Sequence, residues 1–400
     1  MVNTGLLDAL LQGLVTGSII GAGALGLSLV YSISGVPNFA HGDMITIGAY
    51  LVLVFNDPGQ LPFLPHVAGL PLALAAVVGV AIAGVLGAAY DAVVFRRFRE
   101  HDADLITMVI VSLGLALVLR DVVLFLAGSK NVTYATPSIV NTNVVLSVVP
   151  AGLAVHLTRR ANGTLHAVGA WGYSWVVLAG VVVLALLVSV VVYRRRRGDA
   201  GFREIHFVSP WVWGVGTFVV VAGGLAAALR GSAPSVSQAA FATRVGVSRK
   251  YAVVLSVMLL TMLAVNYLLK RTKTGRAMRA TADNQALARV RGVDIDRVQL
   301  VVWVLAAVLA GIAGTLLAWY STTLNPSMGF HLLLPVFAAV ILGGIDSPYG
   351  AVAGGLLIGV SMDVGVYLLP TSFATYRTAI AFVILAAVLL LKPEGIWGDA

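Results

Sequence analysis

Of the 400 residues, 59% are hydrophobic and only 11% are charged, whereas a soluble domain is nearer half apolar and a quarter charged. That balance excludes a soluble globular protein and makes the number of bilayer crossings, not length, the measure of organisation. The net charge of +9 lies in clusters beside apolar runs, which removes it as a nucleic-acid signal, and the lack of cysteine excludes disulfides, thiolate metal sites and cysteine nucleophiles.

Gly5–Val30 reads as the first span, with Gly17/Gly21 and Ala22/Gly26 at the spacing that lets helices approach closely. The preceding MVNTGLLDALLQG has no basic region, so a cleaved signal peptide is not expected. In Ser34–Met44, SGVPNFAHGDM, Gly35 and Pro37 break the helix and leave Asn38, His41 and Asp43 around a non-helical turn at the membrane edge or within it. Irregular backbone at that depth is tolerated only where protein or a water-filled cavity covers it, and ionisable residues there are functional candidates. The alternative is a structural turn, with Asn38 capping the second span (through Phe55) and His41 bonded locally. Asp57-Pro58-Gly59 with Pro62 and Pro65 marks an outer turn. Val67–Val94 is the third predicted span and ends at the basic RRFREHDAD loop. Leu105–Leu126 is the fourth. Its Arg120 and Asp121 are neighbours that cannot face each other on a helix, so each snorkels or needs its own partner.

Gly128 to Gly172 is mixed and polar. Val144–Leu157 is apolar but short for a crossing and is interrupted at Pro150-Ala-Gly152, so the region is expected outside as an ordered loop or interfacial segment. Asn131-Val-Thr133 and Asn162-Gly-Thr164 match glycosylation sequons there. Tyr173–Tyr193 and Pro210–Ala228 read as a hairpin entering from outside around Arg194–Arg197, which the positive-inside rule places in the cytoplasm. Arg230–Lys250 is then an outer segment. The chain divides into residues 1–130, a first bundle segment; 131–237, an outer loop with the extra hairpin; and 238–400, a second bundle segment.

Tyr251–Leu269 and Val298–Tyr320 flank the most charged stretch, Lys270–Arg297, which carries eight basic residues (Lys270, Arg271, Lys273, Arg276, Arg279, Arg289, Arg291, Arg297) against Asp283, Asp294 and Asp296. It belongs in the cytoplasm. Thr274-Gly275 is expected to break the preceding helix, Arg276–Arg291 to form a short Ala- and Arg-rich helix, Gly292 to stop it and Asp294 to cap the next. Such a helix suits docking into a groove of a cytoplasmic protein; a solvated basic loop is the plain alternative. Beyond it, Asn325-Pro326 lies in the outer segment Ser321–Phe330. Leu332–Leu342 and Tyr349–Leu369 surround Gly343-Gly344-Ile345-Asp346-Ser347-Pro348. These two glycine-interrupted segments read either as broken helices, as in transporter sites, or as close packing. Asp363 is an intramembrane carboxylate, a candidate for the path or for a helix–helix hydrogen bond. Ala379–Leu391 closes the bundle and the C-terminus falls inside, the N-terminus outside. The class is all-α, a polytopic bundle of about nine to eleven spans.

Several segments together resemble the LivH-type permeases of branched-chain amino acid ABC importers. They are Asn38-Phe-Ala-His41-Gly42-Asp43-Met44 followed by Ile47–Tyr50, Leu113-Gly-Leu115 with Leu119-Arg-Asp121, and Thr272-Lys-Thr-Gly-Arg276-Ala-Met-Arg279-Ala280-Thr-Ala282-Asp283-Asn284 with Gly292-Val293. Asn325-Pro326, Leu342–Ile345, Gly350–Gly355 and Lys392–Gly398 complete the series. The likeness covers about Gly5–Lys130 and Gln238–Gly398 and fails across roughly Val144–Ser237; family members are commonly shorter.

The resemblance implies a non-enzymatic transmembrane subunit without cofactor or metal. Its implied partners are cytoplasmic ABC ATPase subunits, a second homologous permease, an extracellular or periplasmic solute-binding protein, a small amino-acid substrate and the lipid of a prokaryotic cell membrane. It assigns ATPase coupling to Arg276, Arg279, Ala280, Ala282, Asp283, Asn284 and Gly292. The absence of a G-x-x-x-x-G-K-[ST] loop agrees, since the chain then has no phosphate cradle of that type. Candidates for the substrate path are Asn38, His41, Asn325 and Asp363. An ion-coupled secondary transporter or channel for a small neutral solute such as urea or an amide is the rival, with Asp363, Asp121 or His41 as coupling residues. An intramembrane enzyme is disfavoured because the seven histidines are dispersed and no H-E-x-x-H occurs.

Overall fold

The computed structural model describes residues 4–101, 103–135, 142–149, 152–161, 164–198, 243–369, 376–391 and 395–396, with scattered positions between 217 and 231. Two compact units result: Met1–Thr4 with Asn141–Arg249, and Gly5–Val140 with Lys250–Ala400.

The larger unit is the helix bundle. Its helices are α1 (Thr4–Ser34), α2 (His41–Asn56), α3 (Leu72–Tyr90) and α4 (Leu105–Ala127) in the first half. After α5 (Trp175–Gly198) of the smaller unit, α6 (Arg249–Arg271), α7 (Lys273–Asp283), α8 (Gln285–Val290), α9 (Ile295–Ser321), α10 (Met328–Gly343), α11 (Pro348–Leu368) and α12 (Arg377–Leu391) follow. Seven helices of the described chain are long and apolar enough to cross a bilayer, and α10 and α12 are shorter apolar ones. α3 does not end at Tyr90 but runs through a π-helical turn, Asp91–Phe95, into Arg96–Glu100. There Arg99 pairs with Asp91 at 2.7 Å, and Phe95 stacks on Trp303 of α9 at 4.3 Å.

α1 is the buried axis of the bundle: most of its apolar length is enclosed. Gly13, Gly17 and Gly21 lie against the backbone of α11 around Gly355 and Gly359. Without a hydrophobic drive between helices in lipid, such close backbone contact is what holds them together. A matching seam joins α3 to α9, where Gly84 and Gly87 meet Val304, Val308, Trp303 and Ala307.

The two halves repeat one order in opposite directions. α1 runs toward the basic end, where α7 and α8 lie, and α9 starts from that end. Each is followed by an irregular turn and a 16-residue helix, α2 and α10. α2 ends at the far side, where Asn56 holds the Leu70 and Ala135 carbonyls; α10 ends at the basic side, where the Leu342 carbonyl accepts from the Ile396 N–H. α3 and α11, then α4 and α12, likewise oppose each other. This is the inverted-repeat pattern of many transporters.

The smaller unit corrects one expectation. The stretch read as an outer loop or interfacial segment forms a sheet: β1 (Thr142–Val149), β2 (Gly152–Ala161), β3 (Thr164–Ser174) and β4 (Thr243–Ser248), all antiparallel in the order β3-β2-β1-β4. The β-branched run in β1 favours an extended chain. Val149 pairs with Gly152, so β1 and β2 lie antiparallel on either side of the predicted interruption. α5 (Trp175–Gly198) follows β3 and spans about 36 Å at 1.5 Å per residue. Gly172, just before α5, exchanges backbone hydrogen bonds of 3.0 and 3.1 Å with Gly231. By Gly231 the chain has therefore come back to the start of α5. Most of the second predicted arm, Pro210–Ala228, lies outside the described residues.

Candidate functional site

The Gly35–Ala40 turn re-enters the bundle. His41, at the start of α2, is fully enclosed, and its Nε2 lies 2.9 Å from the carbonyl of Gly23. Gly23 is about three turns, roughly 16 Å, from the end of α1. The break predicted from SGVPNFAHGDM is thus irregular backbone at membrane depth, covered by protein. Asn38 does not cap α2. Its Oδ1 accepts the Ala40 N–H at 3.0 Å, closing the turn before the helix, and its Nδ2 points to the Met44 sulfur. Asn325 plays the same part before α10: its Oδ1 accepts the N–H and hydroxyl of Ser327 at 3.2 and 3.1 Å.

The starts of α2 and α10 meet. Asn38-x-x-x-Gly42 and Asn325-x-x-x-Gly329 are the same pattern, and the two glycines touch backbone to backbone. A Cβ on Gly42 would lie 2.8 Å from the Gly329 carbonyl, and one on Gly329 would overlap the Gly42 carbonyl. The Gly329 N–H also donates to the Thr46 hydroxyl at 3.0 Å. The structure therefore brings Asn38, His41 and Asn325 to one crossing of two helix starts. Thr46 was not legible from sequence as its clasp.

Asp363 lies elsewhere. It pairs with Arg377 of α12 and accepts the Thr16 hydroxyl at 2.8 Å, while Arg377 donates to Thr16 at 3.0 Å. The partner sought for Arg120 is Asp43: Nε and a terminal nitrogen reach the two carboxylate oxygens at 3.1 and 3.2 Å, and the guanidinium covers the Phe330 ring at 4.2 Å. One side chain of α4 thus grips the first turns of both α2 and α10.

At the basic end the expected single helix Arg276–Arg291 is two. The preceding helix stops at Thr272, not at Gly275. Thr272 caps α7 by accepting the Gly275 N–H at 3.0 Å, which leaves Gly275 inside that helix. Asn284 ends α7 and caps α8 through the Leu287 N–H at 2.9 Å, because its side-chain carbonyl competes with helical continuation. Gly292 takes φ +82°, the left-handed stop that favours glycine, and Asp294 caps α9 as predicted. Met278, Thr281 and Ala288 face inward. Arg276, Arg279, Ala280, Ala282, Asp283, Asn284 and Gly292 are exposed, as are Leu287 and Val290, at 56% and 84%. Gln285 reaches inward to the Ile33 carbonyl in the last turn of α1 at 2.5 Å. Beside it a cleft of about 710 Å³ is lined by Gly35 and Val36 of the broken turn, Gln285 and Arg289 of α8, and Arg99 and Asp296. Gln285 was not singled out by sequence; polar side chains in a basic loop give no sign of reaching a helix end.

The family described as branched-chain amino acid transport system / permease component matches residues 9–391. The chain belongs to that family. Relatives within it include the high-affinity branched-chain amino acid transport system permease protein LivH of Escherichia coli, 25% identical over 98% of this chain and 95% of that protein. BraD of Pseudomonas aeruginosa, a permease protein of the same kind of system, is 24% identical over 98% and 95%. The ribose import permease protein RbsC of Escherichia coli is 31% identical over a shorter stretch, 34% of this chain and 43% of that protein. No solved structure matches. As in the rest of the family, the chain is a multi-pass membrane protein with a permease role.

Proposed function

We propose that this chain is the membrane subunit of an ABC importer that moves branched-chain or related amino acids by alternating access driven by a separate ATPase. In this reading α7 and α8 lie in the cytoplasm with the C-terminus, and the N-terminus is outside. A second homologous permease pairs with the bundle in a prokaryotic cell membrane, and a solute-binding protein delivers the solute to the outer face. The Gln285–Ile33 hydrogen bond carries the reading. It ties a surface segment with exposed Leu287 and Val290 to the end of the buried axis α1, beside the broken turn that leads to the α2–α10 crossing. A partner covering Leu287 and Val290 pushes on a lever already fastened to the helix break. Asn38, His41 and Asn325 at the crossing are the proposed path residues, and Asp363 with Arg377 acts as a helix clasp. Arg276, Arg279 and Asp283 present charges to the ATPase.

Support for the ion-coupled rival is weaker. Its coupling candidate Asp363 is held by Arg377 and Thr16. The likeness to a ribose permease fits a shared mechanism with different solutes.

The test is Val290→Asp and Arg279→Glu in the assembled transporter, reading ATPase co-purification and nucleotide-driven uptake of radiolabelled L-leucine. Both fall if the docking assignment is right. Co-purification and uptake at wild-type levels in both variants would overturn it, and uptake by the purified chain alone under an ion gradient would favour the rival.

A further inference from the structure

On the far side of the bundle, the chain leaving α4 lies across the end of α2. Gly128 takes φ +75° and turns it out of the helix. From Asn131 to Ala135 the side chains alternate. Val132 and Tyr134 are buried, while Asn131, Thr133 and Ala135 are exposed, the pattern of a strand. Its backbone is held from two sides. Val132 and Leu324 exchange N–H···O bonds of 3.0 and 2.7 Å. Opposite them, two side-chain amides stand in for a neighbouring strand, each accepting and donating. Gln60 accepts the Thr133 N–H at 3.1 Å and donates to the Thr133 carbonyl at 2.7 Å. Asn56 does the same for Ala135, at 2.8 and 3.2 Å. Tyr134 reaches inward and donates its hydroxyl to the Ala49 carbonyl at 2.9 Å.

Asn56 and Gln60 belong to the end of α2 and the turn after it. Leu324 lies fully buried between α9 and α10, one residue before the Asn325 that closes the turn into α10. The strand therefore bridges the outgoing half of α2 and the segment leading into α10, the two helices whose starts form the crossing. Ala49 is eight residues along α2 from His41, about 12 Å, so Tyr134 is seated on the outer side of that crossing. The polar attachments are hydrogen bonds that water can replace, so the strand can come away without unwinding a helix. We propose that Val132–Ala135 is the outer gate strand of the transport path. Seated as here, it closes the far side of the crossing. Released from Asn56, Gln60 and Leu324, and swung about the Gly128 turn, it opens that side to solute. The proposal rests on the reading above that the path runs through the α2–α10 crossing.

The chain has no cysteine, so introduced cysteines report on the strand alone. Val132 and Leu324 are a directly opposed, hydrogen-bonded pair, whose Cα atoms stand about 5.5 Å apart, a separation that a disulfide spans. In the first arm, the assembled transporter carrying Val132→Cys with Leu324→Cys is oxidised, and the bond is verified by mass spectrometry. Nucleotide-driven uptake of L-leucine is expected to fall at least tenfold and to return on reduction, while wild type and both single variants do not respond to the oxidant. Undiminished uptake with the bond formed overturns the gate, because a strand that only staples the fold has no need to move. Failure of the bond to form overturns the pairing on which the gate is built. In the second arm, the purified chain in nanodiscs carries Leu324→Cys alone and is exposed to a membrane-impermeant maleimide. Labelling is expected to be at least tenfold faster when Gln60→Ala and Tyr134→Phe are added, with the gel-filtration profile as the control for folding. Equal rates in the two backgrounds overturn release of the strand. A wild-type assembly that imports no L-leucine with nucleotide overturns the importer reading instead, while the second arm still decides whether the strand releases.

Discussion

Arg120→Met isolates the contribution of one cation to the two helix starts. The Asp43 side chain is 1% exposed and that of Arg120 is 23% exposed. Removing one member of a buried pair costs about 3–5 kcal/mol, because the charge left behind sits in a medium of low polarity. The two contacts of 3.1 and 3.2 Å are at the long end for charge-assisted bonds. With the partial exposure of Arg120, that places the expected loss near the lower bound, about 3 kcal/mol. Adding Asp43→Asn removes the stranded charge, so the double variant is expected within about 1.5 kcal/mol of wild type. Reversible unfolding of the purified chain in mixed detergent–SDS micelles supplies the four free energies of a double-mutant cycle. If Arg120→Met alone is as stable as the double variant, Asp43 does not depend on Arg120, and the assigned grip on α2 and α10 is wrong.

Gly329→Ala places a methyl into the Gly42 carbonyl and disturbs the N–H donated to Thr46. It is expected to destabilise the bundle more than Gly42→Ala, where overpacking costs about 1–3 kcal/mol; the same micelle titration ranks them. Thr46→Val leaves the Gly329 N–H unsatisfied and is expected to cost about 1–3 kcal/mol without changing expression of the folded chain. Gln285→Ala cuts the lever while leaving the docking face intact. ATPase co-purification should persist while L-leucine uptake per ATP hydrolysed drops, and unchanged coupling would rule out the tie to Ile33 as the transmission point.

Much of the bundle was legible in the sequence because long apolar runs and Gly/Pro breaks are local signals. The turn at Gly35–Pro37, the stop at Gly292 and the cap at Asp294 fall where the chain announced them. Asn284 was missed as a helix divider because an Asn between good helix formers reads as tolerated until its side chain is seen bonding to Leu287. The sheet was missed because Val144–Leu157 was tested only as a crossing, and its partner β4 lies far along the chain. For the site, the sequence placed Asn38 and His41 on one turn and Asn325 on another, far along the chain. Their convergence depends on the α2–α10 crossing, a tertiary fact. Arg120 was expected to need its own partner, but nothing in spacing points to Asp43 on another helix.

Asn143 and Ser248 stand opposite each other across β1 and β4, so their backbones are one strand spacing apart, about 4.8 Å. Everything between them leaves and rejoins the protein at a single doorway. Such a cassette can be spliced in or cut out while its flanks keep their places. A version joined by a tight turn in place of 144–247 is therefore expected to fold and to reach the membrane. It would offer a direct way to ask what the longer form gains from its appendage.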